Sequence, residues 1–484
     1  MNAGKALLEK IRTQFYGADT AYQIVNGEVT PRVYLDSAAS CLMMKPAMEA
    51  STRFLAHYSN THSDTHYSAT IANGMYTWAH HKVLRFLGAS PEEYTCVFVG
   101  SGSTAAINRV AQLLRKTRPH KPGVLISLME HHSNDLPHRV HHDFVEHVGC
   151  EGEGVDLGSI SLTGLETLLD KHLGMINYVA VTAASNVTGI ANPIHEVARL
   201  AHDKDALIVV DASQILAHKP LSVHSNDGDT RASLDVVVFS GHKVYAPGSP
   251  GVLVIRKSLL AAADPCEFGG GMVDRVFKTE FSVSRALPDR EEAGTPNILG
   301  AVNLAMALDV MSRIGMEVIE AHEHDILGAL FDGLLAIDGI TIYGSKNLAR
   351  YSRTATISFN LAGVDHGLLA AILNDHFNLA LRNECFCAHP YVREMILHEL
   401  WELDPDMPEH EVEAKKGMVR ASFGLNNCLA DVHKLIDALK AVAANTELYI
   451  QQYALDEKGN YRHKELRYDW SRYFSPEAIL DSVL

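Results

Sequence analysis

The sequence predicts an α/β protein built on a largely parallel sheet, with a smaller α+β domain after it. Two observations carry this reading. From about Pro31 to Lys257, short runs that are apolar throughout alternate with segments of helical periodicity, as expected of strands covered on both faces by crossover helices. Near Gly294–Leu299 the pattern changes to a long helical stretch, "LGAVNLAMALDVMSRIG", and then to "TATISFNL", "NLALRNECFCAHPY" and "MVRASFGLNN" with helices around them. A third observation points to a site: Ser103, His131, Asn186, Asp211 and Lys243 each come just after an apolar run. Ligands of such sheets collect beyond the carboxyl ends of the strands.

Each element follows from its residues. "MNAGKALLEKIRTQF" places Leu7, Leu8, Ile11 and Phe15 at helical spacing, and its charges interrupt it too often for a secretory leader. It is expected to pack on the small domain as part of an N-terminal segment, 1–30. A large domain over 31–300 takes in "CVFVGSG", "GVLISLM", "YVAVTAA", "ALIVVD", "DVVVFS" and "GVLVIRK" as strands. The small domain is expected over 301–444. An extension over 445–484, rich in tyrosine and charge, is expected to wrap the small domain or a partner copy; "HSNDGDTRAS" reads as a surface loop.

Composition narrows the function classes. The chain has 484 residues, and 42 Lys+Arg against 58 Asp+Glu give a net charge of −16, which opposes the phosphate attraction that general nucleic-acid binding needs. Its seven cysteines are scattered and odd in number, so a reducing cytosol is expected rather than a disulfide framework. No apolar stretch approaches the roughly 20 residues that span a bilayer, so no membrane is expected.

The residues after the strands carry the chemistry. Lys243 follows "DVVVFSGH", and desolvation lowers a lysine toward the range where its amine attacks a carbonyl. Asp211 ends "ALIVVD", where a carboxylate is poorly solvated unless it meets a cation. An aspartate on a protonated pyridine nitrogen together with a lysine Schiff base is the pairing of pyridoxal phosphate enzymes; the plainer alternative is a strand-end carboxylate. "GSGSTAAIN" puts backbone N–H groups and the hydroxyls of Ser103 and Thr104 at a helix start, which suits a phosphate, although either residue could be only an N-cap. The spacing matches neither the dinucleotide glycine pattern nor the P-loop.

The ordered series "YLDSAAS", "VFVGSGSTAAIN", "EHHSN", "SNVTG", "VVDASQ", "FSGHK" and "EAGTPN" resembles the class V aminotransferase-fold enzymes, most closely the SufS-type cysteine desulfurases and selenocysteine lyases. The similarity runs from about Tyr34 to Leu439. It implies the type I fold of pyridoxal phosphate enzymes, with a mostly parallel seven-stranded sheet, and pyridoxal 5′-phosphate as cofactor. Lys243 would carry the cofactor and later remove the substrate's Cα proton. Asp211 would hold the pyridinium, Gln214 the phenolic oxygen, and His131 would stack on the ring. Asn186 would lie near the phenolic oxygen and the substrate carboxylate. Ser103, Thr104, Ser240 and His242 would cradle the phosphate, and Thr295 would reach the phosphate in a partner subunit, which implies a homodimer.

At the substrate end, Arg382 and Cys387 keep the family's spacing between its carboxylate-binding arginine and its sulfur-accepting cysteine, while Glu384-Cys385-Phe386 stands where the family has Gly-His-His. Arg420 in "VRASFG" resembles the second active-site arginine; either arginine could equally form a domain-interface ion pair. The resemblance implies conversion of L-cysteine to L-alanine with persulfide formation on Cys387, and a sulfur-acceptor protein as partner. Another class V activity would keep Lys243 and Asp211 without needing the thiol, and a scaffold with little turnover is a further alternative. No metal is expected: His131, His132, His138, His141, His142 and His147 lie on a loop and helix whose faces they share all round, and Cys385, Cys387 and His389 lack an evident fourth ligand.

Overall fold

The computed structural model describes residues 2–261, 263–403 and 417–484. Its central sheet has seven strands in the order Tyr94–Val99, Gly251–Arg256, Val236–Ser240, Leu207–Asp211, Ile176–Thr182, Gly123–Ser127, Phe144–Val148. The last five run parallel to one another, and Gly251–Arg256 is antiparallel to both neighbours. The strand Ile176–Thr182 is buried at every position, which explains why its sequence carries no polar alternation. One face of the sheet packs with Ile107, Val110 and Leu114 of the helix Gly102–Thr117, the other with Val197, Ala198 and Ala201 of Ile194–Asp203.

The small domain is a four-stranded antiparallel sheet in the order Ile340–Tyr343, Thr356–Leu361, Met418–Ser422, Arg382–Glu384. It forms a core of its own with the helices Met316–Leu335, His366–Phe377 and Leu429–Ala444.

The packing at the domain edges differs in places from the expected bounds. The N-terminal helix, Asn2–Arg12, packs where the two domains join: Leu8 and Ile11 meet Met311 and Ile314 in the large-domain core together with Val318, which belongs to the helix Met316–Leu335. Gly4 allows the close approach, since a Cβ on it would lie 2.3 Å from the main-chain oxygen of Ile314. The helix Ile298–Ile314 also belongs to the large domain, because it is apolar on almost every face and is buried between the helices Lys45–Phe54 and Tyr67–Phe86. Conversely, Val33 and Leu35 pack into the small-domain core.

The extension lies on the small domain. Its hairpin, Tyr453–Leu455 with Tyr461–His463, buries Tyr453 and His463. The hydroxyls of Tyr453 and Tyr468 donate to the buried carboxylate of Asp375. Among the described residues no single helix is long and apolar enough to cross a membrane.

Candidate active site

Beyond the carboxyl ends of the parallel strands lies a cavity of about 380 Å³. All the site residues expected from the sequence line it, Thr295 excepted.

The turn after Tyr94–Val99 forms one wall. Gly102 has φ +59°, and a Cβ there would lie 2.6 Å from the Ser240 hydroxyl, so glycine alone fits. That hydroxyl accepts from the Ser103 amide at 2.8 Å and donates to the Ser103 hydroxyl at 3.1 Å. The Thr104 hydroxyl pairs with that of Ser133 at 2.8 Å. The result is a cluster of hydroxyls at the positive end of a 16-residue helix, a favourable seat for a phosphate dianion. His242 sits nearby, paired with the Ser40 hydroxyl at 3.2 Å and pushed down to about 4 by burial.

His131 caps the short turn His132–Asn134. Its Nδ1 accepts from the Ser133 amide at 3.0 Å, which leaves the proton on Nε2. Burial, and then the charge of Lys243, push it down to about 3, so at neutral pH it presents an uncharged ring to the cavity.

Asp211 ends its strand with Oδ1 accepting from the Ser213 amide at 2.9 Å. Burial pushes its carboxyl up, opposed by the Ser213 hydrogen bonds and by Lys243. Burial likewise pushes the Lys243 amine down, opposed chiefly by Asp211. Lys243 is partly buried and reached from the cavity. The Gln214 side-chain amide donates one N–H to the Ala38 oxygen at 2.8 Å, and the residue lines the cavity.

The small domain closes the opposite wall. Arg420 is only 2% exposed; it donates to the Asn186 oxygen at 2.9 Å and to Asp36 at 3.0 Å, and lies over the Phe386 ring at 4.6 Å. Arg382, half-exposed, donates to the other Asp36 oxygen at 3.2 Å. Cys387 is exposed to the cavity, and Cys385 is buried. The segment 384–387 is contorted, with φ of +95° at Glu384, +50° at Phe386 and +57° at Cys387, a conformation that side-chain-bearing residues seldom adopt.

Thr295 lies outside the cavity, exposed, with its hydroxyl accepting from Asn60 at 3.3 Å. In the histidine-rich segment, His138 and His142 both bond the Tyr178 hydroxyl, at 2.8 and 3.0 Å, and His138 also pairs with Asn134 at 3.0 Å. Among the described residues no group of three or more His, Cys, Asp or Glu is arranged to hold a metal. Sequence reasoning assigned no role to Asp36, although it stands inside the quoted "YLDSAAS"; nothing local signals that two distant arginines meet on it.

The family model of class-V aminotransferases matches residues 33–435. The chain belongs to the aminotransferase class-V family. A probable cysteine desulfurase of Vibrio cholerae is 32% identical over 438 residues, which cover 90% of this chain and 98% of that one. The cysteine desulfurase of an Enterobacter species is 31% identical over 440 residues, with the same coverage. Among solved structures, the apo cysteine desulfurase of Thermococcus onnurineus NA1 superposes with a TM-score of 0.73 at 29% identity, over 85% of this chain and 95% of that one. A cysteine desulfurase of Escherichia coli, in an S-sulfonic acid form, gives a TM-score of 0.72 at 26% identity, over 91% and 98%.

Class-V aminotransferases are pyridoxal 5′-phosphate enzymes, and the donor set of this cavity fits that group. A buried carboxylate suits the pyridinium, an amine without a side-chain hydrogen bond among the described residues suits the aldehyde, and the Gly102–Thr104 cradle suits the phosphate.

Proposed function

We propose that the protein is a pyridoxal 5′-phosphate-dependent cysteine desulfurase that converts L-cysteine to L-alanine and takes the sulfur onto Cys387 as a persulfide. The observation that carries this reading is the convergence of Lys243, Arg382 and Cys387 on one cavity. The relatives named above support the same activity.

When bound, the cofactor supplies an electron sink for the pair left at the substrate's Cα. The chain's residues do the rest. Ser103, Thr104, Ser240 and His242 would anchor the phosphate. Asp211 would hold a protonated ring nitrogen, Gln214 and Asn186 would bind the phenolic oxygen, and the neutral His131 would cover the ring. Arg382 and Arg420 receive the substrate's α-carboxylate and turn its side chain toward Cys387. Lys243, whose amine burial makes a weaker base than an exposed lysine, moves the Cα proton. Cys387 attacks the substrate sulfur as a thiolate: its Sγ–S bond forms as the Cβ–S bond breaks, the released pair at Cβ takes a proton, and alanine leaves with persulfide on the enzyme.

Thr295, exposed and outside its own cavity, fits a contact with the phosphate of a second copy in a homodimer. A reducing cytosol keeps Cys387 a thiol between turnovers, and an acceptor protein removes its sulfur.

The test supplies L-cysteine and measures alanine together with protein-bound sulfur, in the wild type and in Cys387→Ala. Equal amounts of both products from the wild type, with the persulfide mapped to Cys387 by mass spectrometry and absent from the variant, are expected. Normal sulfide release by Cys387→Ala would turn the reading toward a class-V lyase that needs no thiol.

A further inference from the structure

Asp36 carries no role in the reading above and does not line the cavity, yet it meets both arginines that do. Its Oδ1 accepts from Arg420 at 3.0 Å and its Oδ2 from Arg382 at 3.2 Å. The three residues come from distant parts of the chain. Asp36 leaves the strand Val33–Tyr34, Arg382 opens the strand Arg382–Glu384, and Arg420 sits in Met418–Ser422, where it is paired directly with Arg382 across the sheet. Two guanidiniums so placed repel each other, and Arg420, at 2% exposure, has almost no water to screen it. A bridging carboxylate offsets that repulsion and fixes the orientation of both planes.

The charge count has a consequence for substrate choice. Two guanidiniums and one carboxylate leave a single positive charge at this end of the cavity. Glu384, on the same strand as Arg382, is exposed and outside the cavity, so it does not enter the count. Arg382 keeps both terminal nitrogens without a protein partner among the described residues, because Asp36 takes only its Nε. One α-carboxylate satisfies this arrangement, and a second carboxylate on the same ligand finds no uncompensated cation.

We propose that Asp36 is a positioning residue that holds Arg382 and Arg420 for one α-carboxylate and thereby selects monocarboxylic amino acids against dicarboxylic ones. This rests on the reading of the cavity as an amino-acid site, but not on the fate of the sulfur.

The experiment titrates the holoenzyme calorimetrically with L-alanine and with L-aspartate, in the wild type, Asp36→Asn and Asp36→Glu. The wild type is expected to bind L-alanine about tenfold or more tightly over L-aspartate, since an unpaired charge in a partly desolvated site costs at least that much. Asp36→Asn keeps shape and removes the charge, so the ratio is expected to shrink by about tenfold or reverse, while Asp36→Glu, which restores the charge, stays within about threefold of the wild type. A wild type without preference, an Asp36→Asn ratio unchanged within about twofold, or an Asp36→Glu that behaves as Asp36→Asn does, overturns the proposal. Absence of alanine formation from L-cysteine would count against the desulfurase reading alone, because the binding ratio needs no turnover.

Discussion

The side-chain amide of Asn186 donates to the main-chain oxygen of Phe386 at 2.7 Å, so the residue beside Cys387 is fastened to a loop of the cofactor-binding domain. A second tie runs from the His132 amide to the Cys387 oxygen, also at 2.7 Å. The contorted loop at 384–387 is thus held from two sides, by Asn186 and by His132, the neighbour of His131; Asn186 and His131 both line the cavity.

Removal of the first tie should loosen the thiol. In Asn186→Ala, hydrogen exchange of the amides at 384–388 is expected to rise, and persulfide formation to fall about tenfold or more as the attack geometry is lost, with the visible absorbance of bound cofactor retained. Unchanged exchange in that segment would show that the His132 tie suffices.

Lys243 has no substitute in the cavity. Lys243→Ala is expected to lose the visible absorbance band of the cofactor-bound protein and more than about 10⁴-fold of turnover, since tether and base disappear together. Added methylamine should restore part of the absorbance. A Lys243→Ala protein with a normal band and measurable turnover would remove the residue from its assigned place.

Glu130 gives a pH signature. It is buried, and accepts from Ser127, Asn134 and the Thr182 amide; burial pushes its carboxyl up to about 8, from about 4.3 in an unfolded chain. Between those values the unfolded chain has released a proton that the folded protein keeps. The unfolding free energy therefore falls as pH rises through this window and levels off above it. His131, His138 and His142, pushed down by burial to about 3, 3 and 4, act in the opposite sense: they bind protons only on unfolding, and stability drops as pH falls below about 6.5. The difference between wild type and Glu130→Gln isolates the carboxyl. In urea denaturation, the wild type is expected to lose stability relative to the variant from about pH 5 to pH 8; parallel curves would place the proton elsewhere.

The extension should be structural. Deletion after Ala444 strips Asp375, which is 2% exposed, of the Tyr453 and Tyr468 hydroxyls and leaves it the Asn374 amide; a buried carboxylate that loses partners costs about 1–3 kcal/mol. A lower melting temperature is expected, with partial recovery when Asp375→Asn is added to the truncation. No change in melting temperature would mean that water replaces both phenols.

Much of the site could be read from one dimension because a polar residue directly after a buried strand is conspicuous: Ser103, Asn186, Asp211 and Lys243 stood out for that reason, and the ordered motifs around them supplied the cofactor. Asp36 was hidden because its partners lie 346 and 384 residues away, and pairing at that range leaves no local mark. The left-handed turn at 384–387 was hidden for a different reason: it holds no glycine, so the surrounding contacts, rather than local preference, impose it. The edges of the domains misled because the helix Ile298–Ile314 is apolar all round, and such a helix tells that it is buried but not in which core.

In the proposed reaction, the constrained setting of Cys387 bears on how sulfur would leave. A thiol on so short and tethered a stretch is a fixed berth and not a swinging arm. A receiver would then have to bring its own nucleophile to the cavity mouth, where Cys387 is exposed.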